Sequence, residues 1–179
     1  RYVPGEPMSC RKLLQTLLKC ATGDGNLLMN VGPMPDGTMP PDHVARLREA
    51  GDWLKAHGEA VYGTRGGPFR NDETGGMTCR GNTIYVHVWD WPAHRVCLPE
   101  INARILSVYS PTARDLHHEM VDGRLCFSVG EQDRLSLDTL VVLTLDRPAE
   151  AVRNNDLPWR LQQTGKGHAA LIVEDFLGQ

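Results

Sequence analysis

Residues 23–37 read GDGNLLMNVGPMPDG, and the fold turns on how the centre of that stretch is taken. Leu27, Leu28, Met29 and Val31 form an almost unbroken apolar run between turn-forming glycines and prolines. A strand with one wet face alternates apolar and polar side chains. A run of this kind predicts instead a strand buried on both faces, as in a parallel sheet. Asn30 is the polar exception, at the C-terminal end of the strand, where such sheets meet their ligands.

A helix is expected on each side of this strand. Ser9 is a suitable N-cap, and Leu13, Leu14, Leu17, Leu18 and Ala21 then share one helical face. Gly23 stands where a C′ glycine belongs. After the stiff loop Gly32–Gly37, Pro40 and Pro41 suit the first turn of a second helix. Its apolar face is read as Val44, Leu47, Gly51 and Leu54, with Trp53 on the flank and Gly58 at the end. One α-β-α unit cannot satisfy the backbone groups of a doubly buried strand, nor cover both its faces. Its partners are therefore expected upstream, in a larger α/β protein.

The glycine-rich stretch Thr64–Gly76 reads as a linker or long loop, and after it the period changes. Thr83–Trp89 alternates with period two. Val96–Leu98, Arg104–Tyr109, His118–Val121, Leu125–Val129 and Leu140–Leu145 read as further short strands, with Asp122-Gly123 as a hairpin turn. Short strands with turns between them predict a small antiparallel sandwich. The fold class is thus α/β followed by all-β. From Arg147 the tail is mixed and polar until Ala169–Val173, which reads as an edge strand.

The chain has 179 residues, 41% of them hydrophobic, with mean hydropathy −0.34, and reads as soluble and globular. A net charge of −3 without a Lys/Arg run gives no electrostatic reason to expect nucleic acid or an anionic membrane. The apolar runs fall far short of the ~20 residues that span a bilayer. No signal peptide and no initiator Met open the chain, which begins Arg1-Tyr2-Val3-Pro4 as a cut or processed end would. Of the five cysteines, Cys10 and Cys20 share the first helix, roughly 15 Å apart at ~1.5 Å rise per residue, too far for a disulfide. All five are expected as scattered thiols, and no Cys/His spacing suggests a metal.

At this point the residues resemble a known family. GDGNLLMNVGPMPDG followed by RLREAGDWLKAHGEAVYGTRGGPF is similar to the end of the catalytic barrel of glycoside hydrolase family 29, the α-L-fucosidases. GNTIYVHVWDWP and DTLVVLTLD resemble the first and last strands of that family's C-terminal β-sandwich, and RYVPGEP a segment one barrel unit earlier. The resemblance implies the end of a (β/α) TIM-like barrel at residues 1–66 and a small antiparallel β-sandwich at 67–146. Residues 147–179 remain a tail of unassigned role. It implies hydrolysis of terminal α-L-fucosyl bonds with retention, without metal or cofactor, on a fucosylated oligosaccharide or glycoconjugate. A retaining mechanism needs a carboxylate nucleophile and a carboxyl acid/base ~5–5.5 Å apart. In the family both lie upstream of the segment matched here, so no residue of this chain takes either role, and the chain alone is expected to be inactive. The upstream barrel segment becomes its expected partner.

Two residues are candidates for substrate binding. Tyr2 falls, by the resemblance, in the aromatic segment near the sugar pocket, where its ring would pack on the apolar side of fucose. Asn30 either hydrogen-bonds the sugar or caps the loop Gly32–Gly37 through its amide. Asp24, Asp36, Asp42 and Glu59 are carboxylates around the same unit, and the three aspartates have ready structural explanations as strand-end, turn and helix-dipole residues. Trp89, Asp90 and Trp91 form an aromatic cluster that either stacks on glycan or packs a domain interface. His87 is expected to face solvent, as are His117 and His118. The alternative function is a non-catalytic carbohydrate-binding or scaffolding module acting through Trp89 and Trp91. A barrel hydrolase of a related sugar is a third reading.

Overall fold

A computed structural model describes residues 8–135, 137–163 and 169–170. Helix α1 spans Cys10–Thr22, and the Ser9 hydroxyl accepts from the Lys12 amide at 3.2 Å, the expected N-cap. Leu13, Leu14 and Leu18 are buried. At the other end Gly23 has φ −86°, and the left-handed residue is Asp24 at φ +62°, not the glycine. Side-chain bonds hold Asp24 there, as described below.

Helix α2 spans Pro41–His57 and runs into a 3-10 turn at Gly58–Ala60. It meets α1 through Ala50, beside Trp53, Leu27 and Leu137. The expected face Val44–Leu47–Gly51–Leu54 is not seated: Leu47 is 38% exposed and the others are half-buried.

The segment between the helices departs most from expectation. Residues 25–34 form no regular secondary structure, and Leu28 is 88% exposed. The described residues offer this apolar run no neighbouring strand, so it has no ladder to join.

The remainder is antiparallel β-structure. Strands β1 (Arg65–Gly66), β2 (Gly75–Arg80), β3 (Thr83–Val88), β5 (Ile105–Tyr109) and β8 (Thr139–Leu145) form one sheet in the order β1-β2-β3-β8-β5. Strands β4 (Val96–Cys97), β6 (His117–Val121) and β7 (Arg124–Ser128) form a second in the order β4-β7-β6. The hairpin between β6 and β7 turns on Asp122 (φ +49°) and Gly123 (φ +76°), as its sequence predicts. The stretch read as a linker instead holds β1 and begins β2.

The register sorts the first sheet's side chains by period two. Met77, Val86 and Val141 lie in line across β2, β3 and β8, and with Ile84, Val88, Leu143 and Leu145 they share one core with Val96, Leu125 and Phe127 of the second sheet and with Leu98 just after β4. The opposite face presents Thr78, Tyr85, His87, Leu140 and Val142, and it is buried too, with Ala60 packed on Tyr85, Leu140 and Val142. His87 is therefore fully buried, against the expectation that it faces solvent. The alternation was read correctly, but both faces are covered.

One other expectation changes. Cys97 and Cys126 stand opposite each other on β4 and β7, Cα atoms 4.0 Å apart, and are joined by a disulfide; Cys10, Cys20 and Cys79 are free. Described residues beyond 146 also pack on the sandwich. A 3-10 turn at Ala149–Val152 and the fully buried Trp159 complete the sandwich core. The Trp159 amide donates to Arg70 O, and the Leu161 amide to Cys97 O, both at 2.8 Å. Beside Trp159 the backbone of Gly75 comes so close that a Cβ there would lie 2.4 Å from the indole. Of the expected edge strand at 169–173, Ala169–Ala170 (β10) pairs with Gln162–Gln163 (β9), and residues 171–173 lie outside the described residues.

Candidate functional site

Of the two candidates for substrate contact, Asn30 is the one among the described residues, and it sits in the helical third. Asn30 borders an apolar hollow of about 220 Å³ between α1 and α2, shared with Met8, Leu13, Met29, His43 and Leu47. Asn30 is exposed and does not cap the following loop. That loop is held by Asp36, whose carboxylate accepts from the Thr38 amide at 3.0 Å and hydroxyl at 2.8 Å. The Thr38 amide, then its hydroxyl, hold the Asp36 carboxyl below the ordinary carboxylate value. Tyr2 lies outside the described residues.

The other carboxylates are explained by structure. Asp24 accepts from Arg65 through Nε at 2.9 Å and Nη2 at 2.6 Å, and from the Gly66 amide at 2.8 Å. This fork fixes its left-handed backbone, and the Arg65 hydrogen bonds hold its carboxyl below the ordinary value. Asp42 accepts from the His43 amide at 2.9 Å in the first turn of α2. Glu59 is exposed at the 3-10 turn. None of these makes the paired, separated carboxyls of a glycosidase.

The tryptophans do not form a stacking platform. Trp89 is 3% exposed; its indole donates to Glu73 O at 2.7 Å, and its carbonyl accepts from Arg11 of α1 at 2.7 Å. Trp91 packs edge-on to Phe127, lies under the Arg134 guanidinium and donates to Thr139 Oγ1 at 3.0 Å. Both serve packing. His117 and His118 are exposed on β6, as expected.

One constellation was invisible in the sequence. His87 Nδ1 lies 2.7 Å from Asp138 Oδ2, and Nε2 lies 3.3 Å from Thr78 Oγ1. The order hydroxyl–imidazole–carboxylate is that of a hydrolase triad. Two facts decide against that role. All three residues are at most 1% exposed, so no substrate reaches Thr78. The Thr78 hydroxyl also donates its one proton to Ala60 O at 2.6 Å. The network instead ties the turn after α2 to the sheet. More polar bonds join α1 to the sandwich: Asn71 Nδ2 donates to Lys19 O at 3.0 Å and to Thr22 Oγ1 at 2.8 Å, and Lys19 pairs with Glu73. Among the described residues no group of three or more His, Cys, Asp or Glu is placed to hold a metal, and no helix is long and apolar enough to cross a membrane.

Comparison with known proteins gives this arrangement a context. The alpha-L-fucosidase family model matches residues 2–59. An alpha-L-fucosidase of Branchiostoma floridae is 40% identical over 83 residues, which are 45% of this chain and 18% of that protein. A solved alpha-L-fucosidase of Thermotoga maritima in complex with fucose superposes with TM-score 0.59 at 26% identity, over 76% of this chain and 34% of that one. Alpha-L-fucosidase isoenzyme 1 from Paenibacillus thiaminolyticus superposes with TM-score 0.68 over 78% of this chain and 35% of that one; at 24% identity the likeness is one of fold. The chain spans 18% of the curated Branchiostoma relative and about a third of the solved ones. In sequence and fold it matches the C-terminal part of an alpha-L-fucosidase of glycoside hydrolase family 29.

Proposed function

We propose that the chain is the C-terminal portion of a retaining α-L-fucosidase, a hydrolase of terminal α-L-fucosyl bonds whose nucleophile and acid/base lie upstream. The helical third, up to about residue 66, is then the last unit of a (β/α) barrel, and the β-sandwich braces it. One observation carries this reading. The family match at 2–59 falls on the part of the fold where Leu27–Val31, apolar but for Asn30, has no neighbouring strand among the described residues. A strand of that composition is built to be flanked and covered, which upstream barrel strands would do. Tyr2 and Asn30, at the barrel's ligand-facing end, are the substrate contacts this chain would supply. The Cys97–Cys126 disulfide adds that the protein matures in an oxidising compartment.

The test is turnover of an aryl α-L-fucoside, with an aryl β-D-galactoside as control. The folded 179-residue chain is expected to show none, and the chain extended upstream to restore fucoside-specific turnover. Turnover by the 179-residue chain itself would overturn the assignment of both catalytic carboxyls to the upstream region.

A further inference from the structure

The buried chain of contacts from Asp138 through His87 and Thr78 to Ala60 passes through one imidazole, whose proton count follows from its neighbours. Nδ1 of His87 faces Asp138 Oδ2 at 2.7 Å. A lone pair there would meet a carboxylate oxygen, so Nδ1 carries a proton. Nε2 faces Thr78 Oγ1 at 3.3 Å. The single proton of that hydroxyl goes to Ala60 O at 2.6 Å, so Thr78 meets the ring as an acceptor. Both ring nitrogens therefore donate, and the ring in this arrangement is an imidazolium. Asp138 supports the same count. It is 1% exposed and its Oδ1 makes no hydrogen bond among the described residues, which leaves His87 as its countercharge.

A neutral ring uses Thr78 differently. Held to Asp138 through its Nδ1 proton, it turns a bare Nε2 toward the hydroxyl, and that nitrogen is a more basic acceptor than an amide carbonyl. The hydroxyl proton then swings from Ala60 O to Nε2, and the turn after α2 loses its side-chain bond to the sheet. We infer that His87 is a proton-operated latch. Charged, it leaves the Thr78 proton on Ala60 O and holds the turn; neutral, it takes that proton and releases the turn. The other titratable and charged groups around it sit further along the same chain of contacts. On this face of the sheet they are Tyr85 of β3, Arg80 of β2 reaching the Tyr85 hydroxyl at 3.5 Å, and Tyr109 of β5 near Tyr85 and Glu59. The helices add Arg11, bonded to Trp89 O, and Cys10 with Glu49, beside the cluster that holds Leu137. Both His87 nitrogens are taken by Asp138 and Thr78.

The latch stands on these contacts and not on the fucosidase reading, and its test reads protons, not turnover. The ¹⁵N,¹³C-labelled 179-residue chain is followed by NMR from about pH 5 to about pH 9, either side of the ordinary imidazole value of about 6.5. At the acid end both His87 nitrogens are expected to resonate as protonated, and Nε2 alone is expected to lose its proton as the pH rises. The Ala60 carbonyl carbon is expected to move upfield with the same midpoint, as a carbonyl that loses a donor does. Thr78→Val, which keeps the shape and drops the hydroxyl, is expected to abolish the Ala60 step, and Thr78→Ser to restore it. The wild-type titration decides the matter even where a variant does not fold. A His87 that keeps one state throughout, one that releases its proton from Nδ1, or one that titrates without an Ala60 step would overturn the latch. So would an Ala60 step that persists in Thr78→Val.

Discussion

The two parts of this chain are built from similar proportions of apolar residues and use them differently. In the β-sandwich nearly every apolar side chain of β2, β3, β7 and β8 is buried, and residues as distant as Phe69 and Trp159 share one core. In the helical third a single residue of α2, Ala50, is buried, while Leu28, Met39 and Leu47 lie exposed. The central strands of the sandwich cover one another, although Leu106, Tyr109 and Met120 on β5 and β6 stay exposed, whereas in the helical third most of α2 is left uncovered. Apolar composition marks what a segment is able to bury, and only the neighbours decide whether it does.

The contrast can be broken most forcefully at Trp159. Replacing it by Ala should cost about 3–5 kcal/mol, as for large aromatics in closed cores, measured by urea unfolding of the 179-residue chain. A loss under about 1 kcal/mol would mean that residues past 146 are not part of the core. The disulfide comes next. Its partners are 29 positions apart, and the double variant Cys97→Ser/Cys126→Ser should lose about 3–4 kcal/mol by loop-closure entropy. Equal denaturation midpoints with and without reductant would refute the cross-link.

The helical third should behave oppositely. Leu47→Ala is expected to change the stability of this chain by less than about 1 kcal/mol, and to cost about 2–3 kcal/mol once an upstream barrel region covers the site. Equal small losses in both contexts would remove the difference between the two regions. The smallest effect concerns acid. Burial pushes the Asp72 carboxyl up, but the Thr74 hydrogen bonds and the Arg160 charge outweigh it and hold the carboxyl below its ordinary value. A depressed folded value contributes stability that is complete above the unfolded carboxylate value of about 3.9 and lost as pH falls through the folded value. Asp72→Asn should therefore flatten the fall in melting temperature on acidification below about pH 4, without changing its slope near neutrality.

How much of this was legible depended on whether a signal was local. The Ser9 cap, the Asp122-Gly123 hairpin, the alternation of β3 and the short strand at β8 are each written within a few residues, and they appear within one or two positions of expectation. β2 was hidden because its first two residues are glycines, required there by Trp159 on one side and Thr22 and Asn71 on the other. A glycine kept for close approach looks like a glycine kept for flexibility. His87 shows a different limit: alternation reveals which residues share a face but not whether that face is covered. The disulfide needed the pairing of β4 with β7, which no spacing of cysteines encodes. Of the candidate residues, Asn30 borders the hollow between α1 and α2, but no strand forms around it among the described residues, and the pairing of His87 with Asp138 carries no motif and emerges only in the folded sheet.

The contact of Trp159 with Gly75 also bears on the order in which the molecule takes shape. More than eighty positions separate the two, so the sandwich cannot close over its largest side chain until nearly all of its sequence is available. The β2–β3 and β6–β7 hairpins are local and form early, but they wait as unsealed halves with apolar faces open to water. During synthesis that interval lasts several seconds at ordinary elongation rates of about 5–20 residues per second. A nascent sandwich of this design is most exposed to aggregation just before its final segment arrives, and it gains most from a chaperone then.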